Sequence, residues 1–287
     1  MDNTLSVPAP KRRSSLGKLS PSFRVGGVIV LLVVLAALAS LARPLQDPNR
    51  ANFGKQFAPP SAEFWLGTDQ LGRDLASRLL AGAHNALYVG LIAVGIGLVL
   101  GSLLGILAGY LGGWLDQIVM LGLEALYALP ALLLALLLAA VFGPGAFSSM
   151  VAIGVAAVPA FARLARAGVL AVKAQPYVEA AQALGATSSR IMFRHVLPNI
   201  LGPLIVQASL AFAGAILAEA ALSYLGLGTQ PPTASWGRML REAQSYLAAG
   251  LSPYPSIWPG LAIALTVLGF NLMGDGLRDR LDPRAKT

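Results

Sequence analysis

The sequence contains no cysteine and only two histidines, His84 and His195. The first absence excludes a disulfide framework, a thiolate nucleophile and a thiolate metal site. The second leaves no multi-histidine metal site, and two histidines so far apart assemble no nucleophile–base pair. Charge is scarce as well. Asp, Glu, Lys and Arg make up 12% of the 287 residues, against about a quarter in a soluble domain. The shortage falls in long apolar runs, the pattern of a chain whose solvent is lipid. A net charge of +8 suits nucleic acid only as a basic patch on a soluble fold. Here Lys and Arg flank apolar runs instead, so no nucleic-acid partner is expected.

Six apolar runs are long enough to be candidate spans: Val25–Ala42, Ala86–Leu111, Ile118–Phe142, Gly145–Ala162, Ile200–Leu227 and Ile257–Met273. Backbone groups in lipid must be satisfied within the segment, so each is expected to be a helix. A cleaved signal peptide is the alternative for the first run, with Ala37-Leu38-Ala39 as the cleavage site. The run is long enough to span, however, and the basic stretch before it (Lys11, Arg12, Arg13, Lys18, Arg24) exceeds an ordinary n-region. The fourth run carries Pro159, and the short sixth holds Pro259 and Asn271. Six spans put both termini on one side. With that side inside, the inner segments hold fourteen Lys and Arg and the outer segments seven, which favours N-in and C-in. The expected fold is therefore an all-α integral membrane protein with six transmembrane helices. Its organisation is a tail over 1–24, a first helix over 25–42, an outer segment over 43–85, a membrane core over 86–280 and a tail over 281–287.

Gly97, Gly101, Gly105, Gly109 and Gly113 recur at every fourth residue of the second run. That spacing keeps them near one helix face, where a neighbouring backbone approaches closely. A phosphate cradle would need a strand before it and a Lys after it, and neither is present. In the outer segment, Asp69 is placed to begin an amphipathic helix on which Leu71, Leu75 and Leu79 share a face. Asp74 then precedes Arg78 by four residues. Two acids lie within runs. Glu124 is expected to snorkel near the inner interface, and Glu219, toward the outer end of the fifth run, to line an outer mouth.

The inner segment 173–199 is the most informative. Tyr177 through Leu184 reads as a short helix with small Ala180 and Ala181 beside Glu179, ended by Gly185 in a left-handed turn. Thr187 or Ser188 caps a second short helix carrying Arg190 and Arg194. Leu197-Pro198 suits the start of the next span. The product is a helical elbow with a small-residue surface.

Glu179-Ala180-Ala181, Gly185 and Leu197-Pro198 resemble the EAA loop of membrane subunits in binding-protein-dependent ABC importers. His195, within Arg194-His195-Val196-Leu197-Pro198-Asn199, is similar to the peptide and nickel branch of that family. So are Leu66 to Asp74 with Ser77-Arg78, Leu225 to Pro232 with Ser235-Trp236-Gly237, and the ending Phe270 to Asp279 with Leu281-Asp282-Pro283-Arg284. The resemblance is closest to the second, C-type permease of dipeptide, oligopeptide and nickel importers. Leu121 departs from it, where many relatives carry an Arg.

The resemblance implies a type I ABC importer permease fold in a bacterial inner membrane. It implies a homologous second permease, two ATP-binding subunits and a periplasmic or lipid-anchored solute-binding protein. Tyr177, Glu179, Ala180, Ala181, Leu184, Gly185, Arg190, Arg194, His195, Leu197 and Pro198 would couple to the ATPase. Asp69, Arg73, Asp74, Glu219, Pro231, Pro232 and Trp236 would form an outer gate or docking surface. The chain has no Gly-x-x-x-x-Gly-Lys-Ser/Thr run, since Gly17-Lys18 and Gly54-Lys55 lack both the preceding glycine and the following hydroxyl. It is expected to be no enzyme and to bind no cofactor or metal, ATP and Mg residing in the partner ATPase subunits. Expected solutes are di- or oligopeptides, with nickel chelates or glutathione as alternatives. An ion-driven secondary transporter is the competing class; it predicts inverted repeats and charged midplane ligands, where this sequence has mostly Ala, Leu and Val.

Overall fold

The computed structural model describes residues 20–42 and 45–281. The basic residues through Lys18, together with Arg43 and the ending Asp282-Pro283-Arg284, lie outside them. Among the described residues all regular structure is helical, apart from one isolated bridge between Thr68 and Asp74. The helices are α1 (Pro21–Ala42), α2 (Leu75–Leu111), α3 (Gly113–Tyr127), α4 (Ala131–Phe142), α5 (Ala146–Lys173), α6 (Pro176–Ala183), α7 (Ser188–Ile191), α8 (Leu197–Leu225), α9 (Trp236–Ala248) and α10 (Tyr254–Leu281). Five helical runs are long and apolar enough to cross a membrane, and six if α3 and α4 form one broken span.

The glycine repeat of α2 forms the tightest seam. At Gly101 an added Cβ would stand 2.6 Å from the Val158 carbonyl oxygen, and at Gly105 it would overlap the Ala162 backbone. Gly97 and Gly109 likewise face α5, while Gly113 has open space around it. Without side chains on this face the two backbones meet directly, so dispersion contacts replace the hydrophobic effect that lipid cannot supply. α1 packs on α10 in the same way, Gly26 against Gly269 and Gly276 against Phe23. Phe212 of α8 stacks on Phe270 of α10 with ring centroids 4.4 Å apart. Leucines of α1, α2 and α4 remain exposed, as expected of surface that lipid covers.

Three expectations are corrected. The third run is not one helix over Ile118–Phe142. It breaks between Tyr127 and Ala131 with a 90° bend, because Pro130 has no N–H to donate and disfavours helical geometry at Leu129. The fourth run continues past Ala162 to Lys173, since no breaker intervenes before Gln175-Pro176. The amphipathic helix does not begin at Asp69. Asp74 is the N-cap, accepting from the Ser77 N–H at 2.9 Å, and the helix runs unbroken from Leu75 into the membrane segment. Beyond the loop that follows α8, α9 is capped by Ser235, which accepts from the Arg238 N–H.

Candidate functional site

Functional groups collect at two opposite ends of the bundle. At one end lie Ser20, Phe23 and Gly276, and with them the elbow between α5 and α8. Gln175 is extended, as a residue before proline must be, and Pro176 opens α6. The helix ends in a Schellman arrangement: Gly185, at φ +80°, donates to the Gln182 carbonyl at 2.9 Å, and Ala186 to the Ala181 carbonyl at 3.0 Å. The Thr187 hydroxyl accepts from the Arg190 N–H at 3.4 Å and starts α7.

The second short helix does not stop before the next span. Ser188–Leu225 is one continuous helical run with a π-turn at Met192–Val196, where the Leu197 N–H reaches back five residues to the Met192 carbonyl. Pro198 removes the next donor, so the local register widens. The Asn199 amide compensates by donating to the His195 carbonyl at 2.6 Å.

The elbow has an inner and an outer face. Val178, Ile191, Val196 and Ile200 are buried with Val169 and Val172 in one cluster. Opposite them, Tyr177, Glu179, Ala180, Gly185, Arg190, Arg194 and Pro198 are exposed. Leu184, at the tip, is 89% exposed, and Phe193 is 69% exposed. His195 is half-buried, its ring 5.8 Å from that of Tyr177. The arrangement is a handle: an apolar root fixed to α5 and α8, and an apolar tip that no other described residue covers.

Two contacts tie α5 to neighbouring helices at this end. Lys173 donates to the Tyr110 carbonyl at 2.7 Å, neutralising the C-terminus of α2. Arg166 makes a bidentate pair with Asp116 of α3 at 2.5 and 2.6 Å. Glu124 is exposed on α3.

At the other end, residues singled out in the sequence are buried in polar clusters. Asp69 pairs with Arg73 at 2.6 Å and Arg78 at 3.4 Å. Glu242 of α9 is shared by Arg73 at 2.7 Å, Arg78 at 3.3 Å and Arg238 at 2.8 Å. Burial alone would raise the Glu242 pKa, but Arg78, Arg73 and Arg238 together outweigh it and hold the carboxyl below the usual glutamate range. Glu219 is 1% exposed and faces no open mouth on this chain. It accepts from Ser223 at 2.7 Å, Asn85 at 3.1 Å and Thr229 at 3.3 Å. Trp236 is buried too, donating to the Leu79 carbonyl at 2.9 Å, with Gly82 leaving room for its ring. Of the outer residues expected at a docking surface, Pro231 and Pro232 are exposed.

Sequence reasoning missed Glu242, Arg238, Arg241, Asn85 and Thr229. The available signal was local. Ser235 caps a 13-residue segment, within which Arg238 precedes Glu242 by four residues.

Residues 101–287 match the model of the family described as "Binding-protein-dependent transport system inner membrane component". The glutathione transport system permease protein GsiD of Escherichia coli O6:K15:H31 is 43% identical over 258 residues, covering 90% of this chain and 84% of that protein. Its counterpart in Pectobacterium atrosepticum is 42% identical over 262 residues, covering 91% and 86%. Among solved structures, a chain of the inward-facing MetNI methionine ABC transporter aligns with a TM-score of 0.58 at 20% identity. The alignment covers 73% of this chain and 96% of that one; at that identity it speaks for the fold.

Proposed function

The chain belongs to the family of binding-protein-dependent transport system inner membrane components, and we propose that it is one of two non-identical permeases between which a peptide-sized solute passes. It is a multi-pass inner-membrane protein and the permease component of an ABC importer. Six spans, with both termini and the elbow in the cytoplasm, are the topology that its Lys and Arg distribution favours. ATP and Mg are bound by two separate ATPase subunits, and the solute is delivered from the periplasm by a binding protein.

The observation that carries this reading is the elbow. A segment that is all handle, buried at its root and bare at Leu184, Tyr177 and Phe193, is suited to sit in a cleft of another protein. α5 enters the elbow and α8 leaves it. When two ATPase subunits close on ATP and draw two such elbows together, both helices move. α5 carries α2 with it through the glycine seam, while α8 carries the strain to the Glu219 cluster at the far end. The bundle thereby alternates between inward- and outward-open states.

For the solute, the relatives named for glutathione transport favour a short peptide, glutathione itself being a tripeptide. Selectivity rests largely with the binding protein. The test of the role is Leu184→Asp in the whole complex. A surface change of this kind leaves folding within about 0.5 kcal/mol, yet the permease pair should purify without its ATPase subunits and ATP-driven uptake should stop. Normal ATPase retention and uptake would overturn the coupling role.

A further inference from the structure

A polar pocket of about 410 Å³ opens at the end of the bundle opposite the elbow, between α9 and the loop that follows α8. Gln70, Thr229, Arg238, Arg241, Glu242, Ser245 and Tyr246 are among its walls. Its charge is unbalanced. The Glu242 carboxylate on its wall and the Asp69 carboxylate behind it are already divided among Arg73, Arg78 and Arg238. Arg241 has no carboxylate partner among the described residues, and the Nη1 of Arg238 is buried with no acceptor. A buried guanidinium N–H without an acceptor is costly and demands one.

The Arg241 side chain is exposed and reaches back to the turn after α8. It lies against Gly226, where any Cβ would collide with it. Gly226 adopts φ +85° as the C-cap of α8, so one glycine both turns the chain and leaves room for the arginine. Two guanidiniums, three hydroxyls and an amide around a cavity of small-molecule size, with the single carboxylate on its wall already shared among three arginines, form a site for a planar anion, which a guanidinium fork matches better than a point charge does.

We propose that this pocket binds the free carboxylate of the solute at the outer face of the permease. The proposal rests on the importer role given above and narrows its substrate class to solutes with an unblocked carboxylate. The permease thereby adds a selection step of its own, rejecting amidated or esterified analogues that would leave the Arg238 Nη1 without an acceptor and Arg241 without a counter-charge.

The experiment uses the assembled importer in nanodiscs without binding protein or ATP, titrated with dialanine and with dialanine amide and followed by saturation-transfer NMR. The wild-type complex should prefer the acid by about tenfold, the size of one charge-assisted hydrogen bond. Arg241→Gln should bring the two ligands to equal affinity, while Arg241→Lys restores part of the preference. Arg241 makes no ion pair, so the variant is expected to assemble normally, and the acid-to-amide ratio is insensitive to a general loss of folded protein. An unchanged ratio in Arg241→Gln, or no binding of either ligand at millimolar concentration, overturns the proposal. So does weaker docking of unliganded binding protein to Arg241→Gln with the ligand ratio intact, which would assign the pocket to a protein carboxylate. ATP-driven uptake by the complete system reads the importer role separately, and its success alongside an unchanged ratio would remove only the carboxylate site.

Discussion

Two glycines of α2 allow the packing seam to be tested against an internal control. Gly105 meets the backbone of Ala162, whereas Gly95, on the same helix, has nothing within 4 Å of where a Cβ would stand. Replacing either by alanine gains the same intrinsic helix propensity, about 1 kcal/mol. Comparison of the two variants therefore cancels that contribution and leaves the steric cost. Adding a methyl group to a packed site costs about 1–3 kcal/mol. At Gly105 the obstacle is a carbonyl and Cα, which cannot rotate aside as a side chain can, so the upper end applies. Gly105→Ala should be less stable than Gly95→Ala by about 3 kcal/mol, a little over a hundredfold in the unfolding equilibrium. Unfolding of the purified chain by SDS titration in mixed micelles, with fluorophores on α2 and α5, measures the difference. Equal midpoints, or a more stable Gly105→Ala, would show that α2 and α5 are not in backbone contact.

At Gly185 a Cβ has open space, so only the φ of +80° opposes substitution. Gly185→Val should cost about 1–3 kcal/mol locally and leave ATP hydrolysis running without uptake, whereas Gly185→Asn, which accepts this geometry, should transport; normal uptake by the valine variant would count against the elbow. Glu242→Gln strips a shared carboxylate from buried arginines and should destabilise the chain by about 3 kcal/mol, read as a lower midpoint in the same titration. Acid should act similarly on the wild type. Because the folded pKa of Glu242 is depressed, its contribution is complete above the ordinary glutamate value and disappears as pH falls through the folded one. Melting temperature should therefore drop more steeply on acidification in the wild type than in Glu242→Gln, and parallel profiles would refute the assignment.

The elbow and the glycine seam were legible because each depends on neighbours close in sequence. A left-handed glycine two residues before a threonine cap, and a four-residue period on one helix, need no knowledge of the rest of the fold. The outer cluster depends on what folding brings together. Arg78 and Glu242 are 164 residues apart, and Asn85 and Glu219 are 134 apart; no local pattern pairs them. The start of α2 was misplaced for a local reason that was visible. Asp69 and Asp74 are both good caps, but Gly72 between them adopts φ +69°, which no helix interior permits. Only the second aspartate has an unbroken helix ahead of it.

Prolines show why hydropathy locates spans but not their breaks. Pro130, Pro159, Pro203 and Pro259 all lie in apolar surroundings, and a window average treats them alike. Pro159 stands inside α5 and Pro259 inside α10, both buried and both in helices that continue through them. A helix pressed against neighbours along its length is held through a missing hydrogen bond, because bending there would open the packed seam on either side. α4 has less such support, packing Ala135 and Leu138 against Ala152 and Leu222. Its leucines are largely exposed on this chain, so little packing is lost if the helix turns at Pro130, and there the missing donor decides. Whether a proline interrupts a membrane helix is thus set by the surface packed against it, which the sequence of the helix itself does not contain.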